Sequence, residues 1–342
     1  MPEIYRAWRD YLRSDAQRQS PTKYWSAAEQ RKWPRYDIAG AFAYQGFPAT
    51  VMSIQLAHPG ATDEYVVRTL FASVDGPAKD AKPMALTRVY AIRENGQWVF
   101  ANALPRLTRD WKRHLIGHIT YIVQPGHDFN EGKARSAVRF ADSVAAMFGV
   151  PPVTELNYYV ADTSEELNRI LGLDFMVGGD QASYSDAARQ MIFVGSPVFG
   201  EDHRHELTHY VLVPLMRSGN TPGIINEGTA TWLGGWLGKA FPDVMREYAA
   251  FLITHPTITL DSVLTVEDHD LGTRPAGAAL VEMTFQHGGI PAVKALMAIG
   301  RTDAQLRAAL QKGLGMPWPE IERMWRAHIL EYALVPGKKA GE

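Results

Sequence analysis

The run His205-Glu206-Leu207-Thr208-His209 holds residue types at a spacing that could do chemistry. On a helix, positions i and i+4 lie one above the other on the same face, so both imidazoles can reach one point. Two such rings bind a metal ion, and the glutamate between them can take a proton from a metal-bound water. Catalytic zinc takes three protein ligands and keeps a fourth position for water. A third ligand stands in the next helical stretch, Ile224-Ile225-Asn226-Glu227-Gly228-Thr229-Ala230-Thr231-Trp232, where Glu227 follows His209 by 18 positions (227 − 209). The turn-like stretch 217–223 lets this helix fold back on the first. Its small and apolar residues mark it as closely packed, and a carboxylate in such a place needs a cationic partner. The expected centre is one zinc ion per chain on His205, His209 and Glu227, with Glu206 as general base. Two histidines and a glutamate also suit other divalent ions; zinc is the expected one.

Those residues need two helices to hold them. For the first, over 202–216, Asp202 is the candidate N-cap, Leu207, Tyr210, Val211 and Leu215 are the apolar positions, and Pro214 falls near the end. The second covers 224–238. Thr231, one turn beyond Glu227, is a candidate partner for a ligand, and His203, two positions before the motif, reads as a surface residue. Further helices are expected at 242–254, 276–287, 290–299, 303–312 and 318–334. Upstream come strands at 117–123, 155–161 and 190–194 and a helix at 132–148. The first 110 residues read as helices at 4–12 and 22–32, then strands at 50–57, 64–74, 85–93 and 97–103. Turns at 58–60, 75–77 and 94–96 separate those strands, and Asn95-Gly96 is a hairpin signal. The expected class is α+β, with one domain over 1–110 (short helices and a curved antiparallel sheet) and a second over 111–342 (a small mixed sheet, then a mainly helical half).

A H-E-x-x-H helix followed after about 18 residues by an N-E-G-x-A helix resembles the gluzincin metallopeptidases, including their looser peptidase MA-like members. The resemblance spans roughly residues 111–300 and is specific over 190–235. It implies a zinc metallopeptidase in which His205, His209 and Glu227 bind the metal and Glu206 is the base. It also implies that the strand carrying Gln190, Ile192, Phe193 and Val194 is an edge strand that pairs with extended peptide, with Tyr184 and Gly178-Gly179 in a loop beside the cleft. Gluzincins place a tyrosine or histidine from the later helical part on the oxyanion. Here Arg274, Tyr248, His269 and His287 are the candidates, and no G-A-M-E-N-like exopeptidase motif is present. Residues 1–110, ending in Arg88-Val89-Tyr90-Ala91-Ile92-Arg93-Glu94-Asn95-Gly96-Gln97-Trp98-Val99-Phe100, resemble the nuclear-transport-factor-2-like cone fold. Trp8, Trp25, Trp33, Phe42, Tyr44 and Phe47 read as its core.

Composition narrows the field. The 342 residues suit about two domains. No cysteine is present, which removes disulfides, thiolate metal sites and cysteine nucleophiles. A formal net charge of -2 argues against a general nucleic-acid binder. No apolar run is long enough to span a bilayer, and the first residues lack a signal-peptide core, so a cytoplasmic protein and a mature form without its leader both remain open. No G-x-S-x-G and no phosphate-binding glycine loop is found. The expected substrate is a peptide or protein. The competing reading is a zinc-retaining pseudopeptidase, or peptide-binding module, without turnover.

Overall fold

In the computed structural model, α1 (Pro2–Arg13) starts on a proline and buries Ile4, Trp8 and Tyr11, which recur at helical spacing. The indole of Trp8 donates to Thr69 Oγ1 at 2.7 Å. The helix expected at 22–32 starts later, as α2 (Ala27–Lys32), because the side chain of Ser26 caps it by accepting from the Glu29 N–H. The residues described are 1–14, 22–33, 36–40, 46–75, 80–178, 182–216, 221–265 and 272–334. Phe42, Tyr44, Gly179, His269 and most of the turns at 75–77 and 217–223 lie outside them.

Four strands, β1 (Ala49–Leu56), β2 (Glu64–Asp75), β3 (Asp80–Glu94) and β4 (Gln97–Ala101), form an antiparallel meander. Asn95 and Gly96 both have positive φ (51° and 79°), as a two-residue hairpin between paired Glu94 and Gln97 requires. After a short α3 (Leu104–Leu107) come β5 (Lys112–Ile116), β6 (Ile119–Val123), α4 (Glu131–Phe148), β7 (Leu156–Ala161), α5 (Ser164–Leu171), β8 (Leu173–Met176), β9 (Ser183–Asp186) and β10 (Met191–Gly195). The second sheet runs β5-β6-β7-β10-β9, with β10 parallel to β7 and antiparallel to β9. The rest is helical: α6 (Arg204–Met216), α7 (Gly223–Gly234), α8 (Phe241–Thr254), α9 (Leu260–Thr265), α10 (Thr273–Met297), α11 (Asp303–Leu314) and α12 (Trp318–Glu331). The expected 276–287 and 290–299 are the two arms of α10, which kinks at Gly288 and Gly289. The mixed α+β class is as expected from the sequence.

The chain folds into two compact units, and they do not follow a cut at 110/111. The first contains Met1–Leu115, Thr120–Phe129 and Asn157–Gly200; the second contains Ile116–Ile119, Asn130–Leu156 and Glu201–Glu342. Within the first unit β8 pairs with β3, and Asp174 on β8 takes Arg68 and Arg88 from the meander. Trp33, Ile38 and Leu104 share a core with Tyr159, Leu167, Ile170 and Phe193. The small sheet thus shares a compact unit with most of the N-terminal residues. The second unit has its own core, in which α4, α6, α7, α8, α10, α11 and α12 bury residues such as Val144, Leu212, Ile225, Met245, Leu280, Leu310 and Trp325. Among the described residues no helix is long and apolar enough to cross a membrane.

Candidate metal centre

The helix α6 carries His205, Glu206 and His209, all in its first two turns. It begins at Arg204, and Asp202 forms an ion pair with Arg204 at 3.2 Å. The second helix, α7, runs against α6 so closely that a Cβ on Gly234 would lie 2.5 Å from the His205 backbone nitrogen. On its other side α7 meets α10, where a Cβ on Gly228 would overlap the backbone of Gly277 and Ala278. Any larger residue at these glycines would push the helices apart. Two contacts without side chains thus fix Glu227 opposite the histidine pair and bring the start of α10 beside it.

Three side chains converge there. His205 Nε2 lies 3.2 Å from His209 Nε2 and 3.3 Å from Glu227 Oε2, and His209 Nε2 lies 3.5 Å from Glu227 Oε1. The tautomers follow from the other ring nitrogens. His205 Nδ1 is 3.1 Å from the carbonyl oxygen of Gly235, which can only accept, so Nδ1 carries the proton. His209 Nδ1 donates to Asn226 Oδ1 at 3.1 Å. In these tautomers both rings turn Nε2 lone pairs toward the Glu227 carboxylate, an arrangement that a cation among them would stabilise. Ligand atoms around a tetrahedral zinc, at ~2.0–2.1 Å from the ion, stand about 3.3 Å apart. The three measured separations match that edge, and the backbone-held second nitrogens are what zinc-ligating histidines commonly show. The residues fit the ion. Among the described residues they are the one group of three or more His, Asp or Glu that could hold a metal.

The surrounding charges keep Glu227 ionised. Burial raises its pKa, but where the rings carry protons in place of an ion, the hydrogen bond from His205 and the charges of His209, His205 and Arg274 outweigh that and bring it down to about 2. Burial also lowers the pKa of His209, helped by His205 and opposed by Glu227 and Glu206. Glu206 is 9% exposed. Its effect on His209 places its carboxylate within electrostatic reach of the ligands.

Other expectations changed. His203 is no surface residue: it is 4% exposed, its ring lies 6.2 Å from that of His205, and burial with the two nearby imidazoles lowers its pKa to about 3. Leu207, Thr208, Val211 and Leu212 are buried as well, so α6 has buried positions on several faces and a helix-wheel argument misplaces His203. Thr231 is buried and its hydroxyl has no partner among the described residues; the second ring nitrogens of the histidines meet Gly235 and Asn226.

The strand reading is also corrected. β10 lies between β7 and β9, so both its hydrogen-bonding edges are occupied and peptide cannot add to it. Ile192, Phe193 and Val194 are fully buried, with Phe193 stacked on Tyr159 and Tyr184. Gln190, at φ 56°, closes the turn into β10, and its carbonyl accepts from the Asn157 N–H. The terminal strand among the described residues is β9, which carries Tyr184.

Of the oxyanion candidates, Tyr248 packs in the helical core against Phe251 and Trp325, and its phenol is pushed up by burial. His287 sits 13 residues along α10 from Arg274 (287 − 274), about 20 Å at the helical rise. Arg274 alone of the described candidates reaches the ligands: its Nε donates to Glu227 Oε2 at 2.8 Å. Its guanidinium lies over the ring of Trp236, 4.0 Å from the centroid. Asn226, Gly235 and Trp236 escaped the sequence reading. Asn226, beside Glu227, was the one of the three with a local signal.

No protein-family model matches the chain, and no curated protein does. Solved structures do. One is a mutant M1 zinc metallopeptidase from Deinococcus radiodurans bound to a Tyr-Ser-Ala substrate, 14% identical over 84% of this chain and 62% of that one, with a TM-score of 0.38. Another, the M1 zinc metallopeptidase from the same organism without the mutation, is 14% identical over 85% and 63%, with a TM-score of 0.36. The chain spans less than two thirds of these proteins.

Proposed function

We propose that the chain is a zinc-dependent peptide hydrolase, with His205, His209 and Glu227 holding the ion and Glu206 acting as general base. The observation that carries this reading is the convergence of two bare Nε2 atoms and a carboxylate at 3.2–3.5 Å, beside a buried glutamate on the same helix. Zinc held there supplies a Lewis acid that acidifies water and polarises a carbonyl. Glu206 takes the proton of the attacking water and returns it to the leaving amine. Gly235 and Asn226 hold the two rings in the tautomer that leaves Nε2 free.

Glu206→Gln is the test. The variant should keep its zinc and lose at least ~100-fold in kcat/KM on a peptide library. Cleavage at the parental rate would overturn the assignment. The second reading, a zinc-retaining peptide binder without turnover, is favoured by one observation. Tyr248 is in the core and Arg274 is bound to Glu227, so neither is a ready donor to an oxyanion. Wild-type protein that carries zinc but cleaves no peptide would select it.

A further inference from the structure

A guanidinium is planar, stays charged, and combines five N–H donors with a face that stacks on aromatic rings. Arg274 uses both properties at one place. Its Nε donates to Glu227 Oε2, the oxygen 3.3 Å from His205 Nε2, while its plane covers Trp236. The same indole lies 5.2 Å from the His205 ring. Trp236 therefore supports a ligand histidine and the cation that grips the ligand glutamate. The close approach of Gly228 and Gly277 fixes α7 against α10, so Glu227 and Arg274 start from backbones in direct contact. Glu227 sits on a side chain with three rotatable bonds and is only partly buried. Among the described residues Arg274 is the sole donor outside the ligand set that reaches it. A carboxylate has about four lone-pair sites, so the hydrogen bond to Arg274 leaves others directed at the histidines.

We infer that Arg274, stacked on Trp236, is the positioning residue of the metal centre: it holds the Glu227 carboxylate in its ligand geometry and acts on the metal only through it. This rests on the reading of His205, His209 and Glu227 as a zinc site. It also separates Arg274 from the oxyanion role, because an arginine reserved for substrate would leave zinc affinity alone. Its positive charge opposes that of a dication, so the sign of the effect is informative.

The experiment is zinc affinity, measured on the full chain by competition with a chromogenic chelator, for wild type, Arg274→Gln and Arg274→Lys. Arg274→Gln should bind zinc about 10–100-fold more weakly, the range for lost partners of metal ligands. Arg274→Lys, which restores the charge but not the planar fork, should recover only part of that loss. Unchanged or tighter binding in Arg274→Gln, whatever happens to turnover, would overturn the inference while leaving the zinc site standing. If Arg274→Gln does not fold, Arg274→Lys decides: weaker binding supports the inference and wild-type binding overturns it. Wild type that takes up no zinc would instead overturn the metal reading, and this inference with it.

Discussion

The charge clusters of the first unit differ from the histidine–glutamate cluster of the second. In the first, acidic groups are met by cations: Asp174 by Arg68 and Arg88, Glu29 by Arg106, Asp186 by Arg189. Even so, burial raises the pKa of Glu29, despite the lowering effect of Asn102 and Arg106. In the second, Glu227 pairs with Arg274 but also faces two imidazoles, and only with those rings protonated is it drawn down to about 2. A network that serves stability approaches neutrality among its own members. A binding site keeps a deficit that a ligand must fill, and here the deficit is one of positive charge.

The largest way to break this comparison is to remove one side of it. Deleting residues 1–110 strips β3 from β8 and opens the core shared by Trp33, Ile38, Tyr159 and Phe193. The fragment 111–342 is expected to be insoluble or molten, with circular dichroism lacking a cooperative melt. A cooperatively folding fragment with native zinc uptake would show residues 1–110 to be dispensable for the fold of the rest.

A smaller effect is expected from acid, on metal-free protein. The pKa of Glu227 in the folded state lies below its ordinary value of 4.5, so its ionisation stabilises the fold above that value. The contribution is lost as pH falls from about 4.5 toward 2. It amounts to at most about 3 kcal/mol. Glu227→Gln should therefore flatten denaturant stability across this window. Glu29→Gln should change it with the opposite slope, because burial raises that group. Parallel profiles for both variants and wild type would remove the contrast.

The smallest effect sharpens it. Asp174→Asn removes a partly buried partner of two arginines, which should cost about 1–2 kcal/mol in chemical denaturation. Zinc affinity should stay at the wild-type value. A loss of zinc binding in this variant would mean that the two kinds of charge cluster are coupled.

The sequence carried the site better than it carried the sheets. His205 and His209 are legible because helical spacing is local, and Glu227 because its neighbours mark a closely packed helix. The seven expected helices after residue 200 all exist, since Gly and Pro punctuate them. Strand order is not local. Nothing in Met191–Gly195 reveals that β9 covers its outer edge, and Ser183–Asp186 is too short and polar to announce itself as a strand. α5 did have signals, a Thr163 cap and a left-handed Gly172, which went unread. The compact units depart from a cut at 110/111 because contacts such as Trp33 with Phe193's cluster link residues far apart in sequence. Arg274 was named as a candidate, but its grip on Glu227 depends on the helix contact at Gly228 and Gly277, which no spacing rule encodes.

The most direct measurement is metal content, by elemental analysis of purified wild type, His205→Ala and Glu227→Ala. The account predicts about one zinc per wild-type chain, and none retained by either variant after dialysis against a weak chelator. A wild type without zinc, or a Glu227→Ala protein that keeps a full complement, would contradict it.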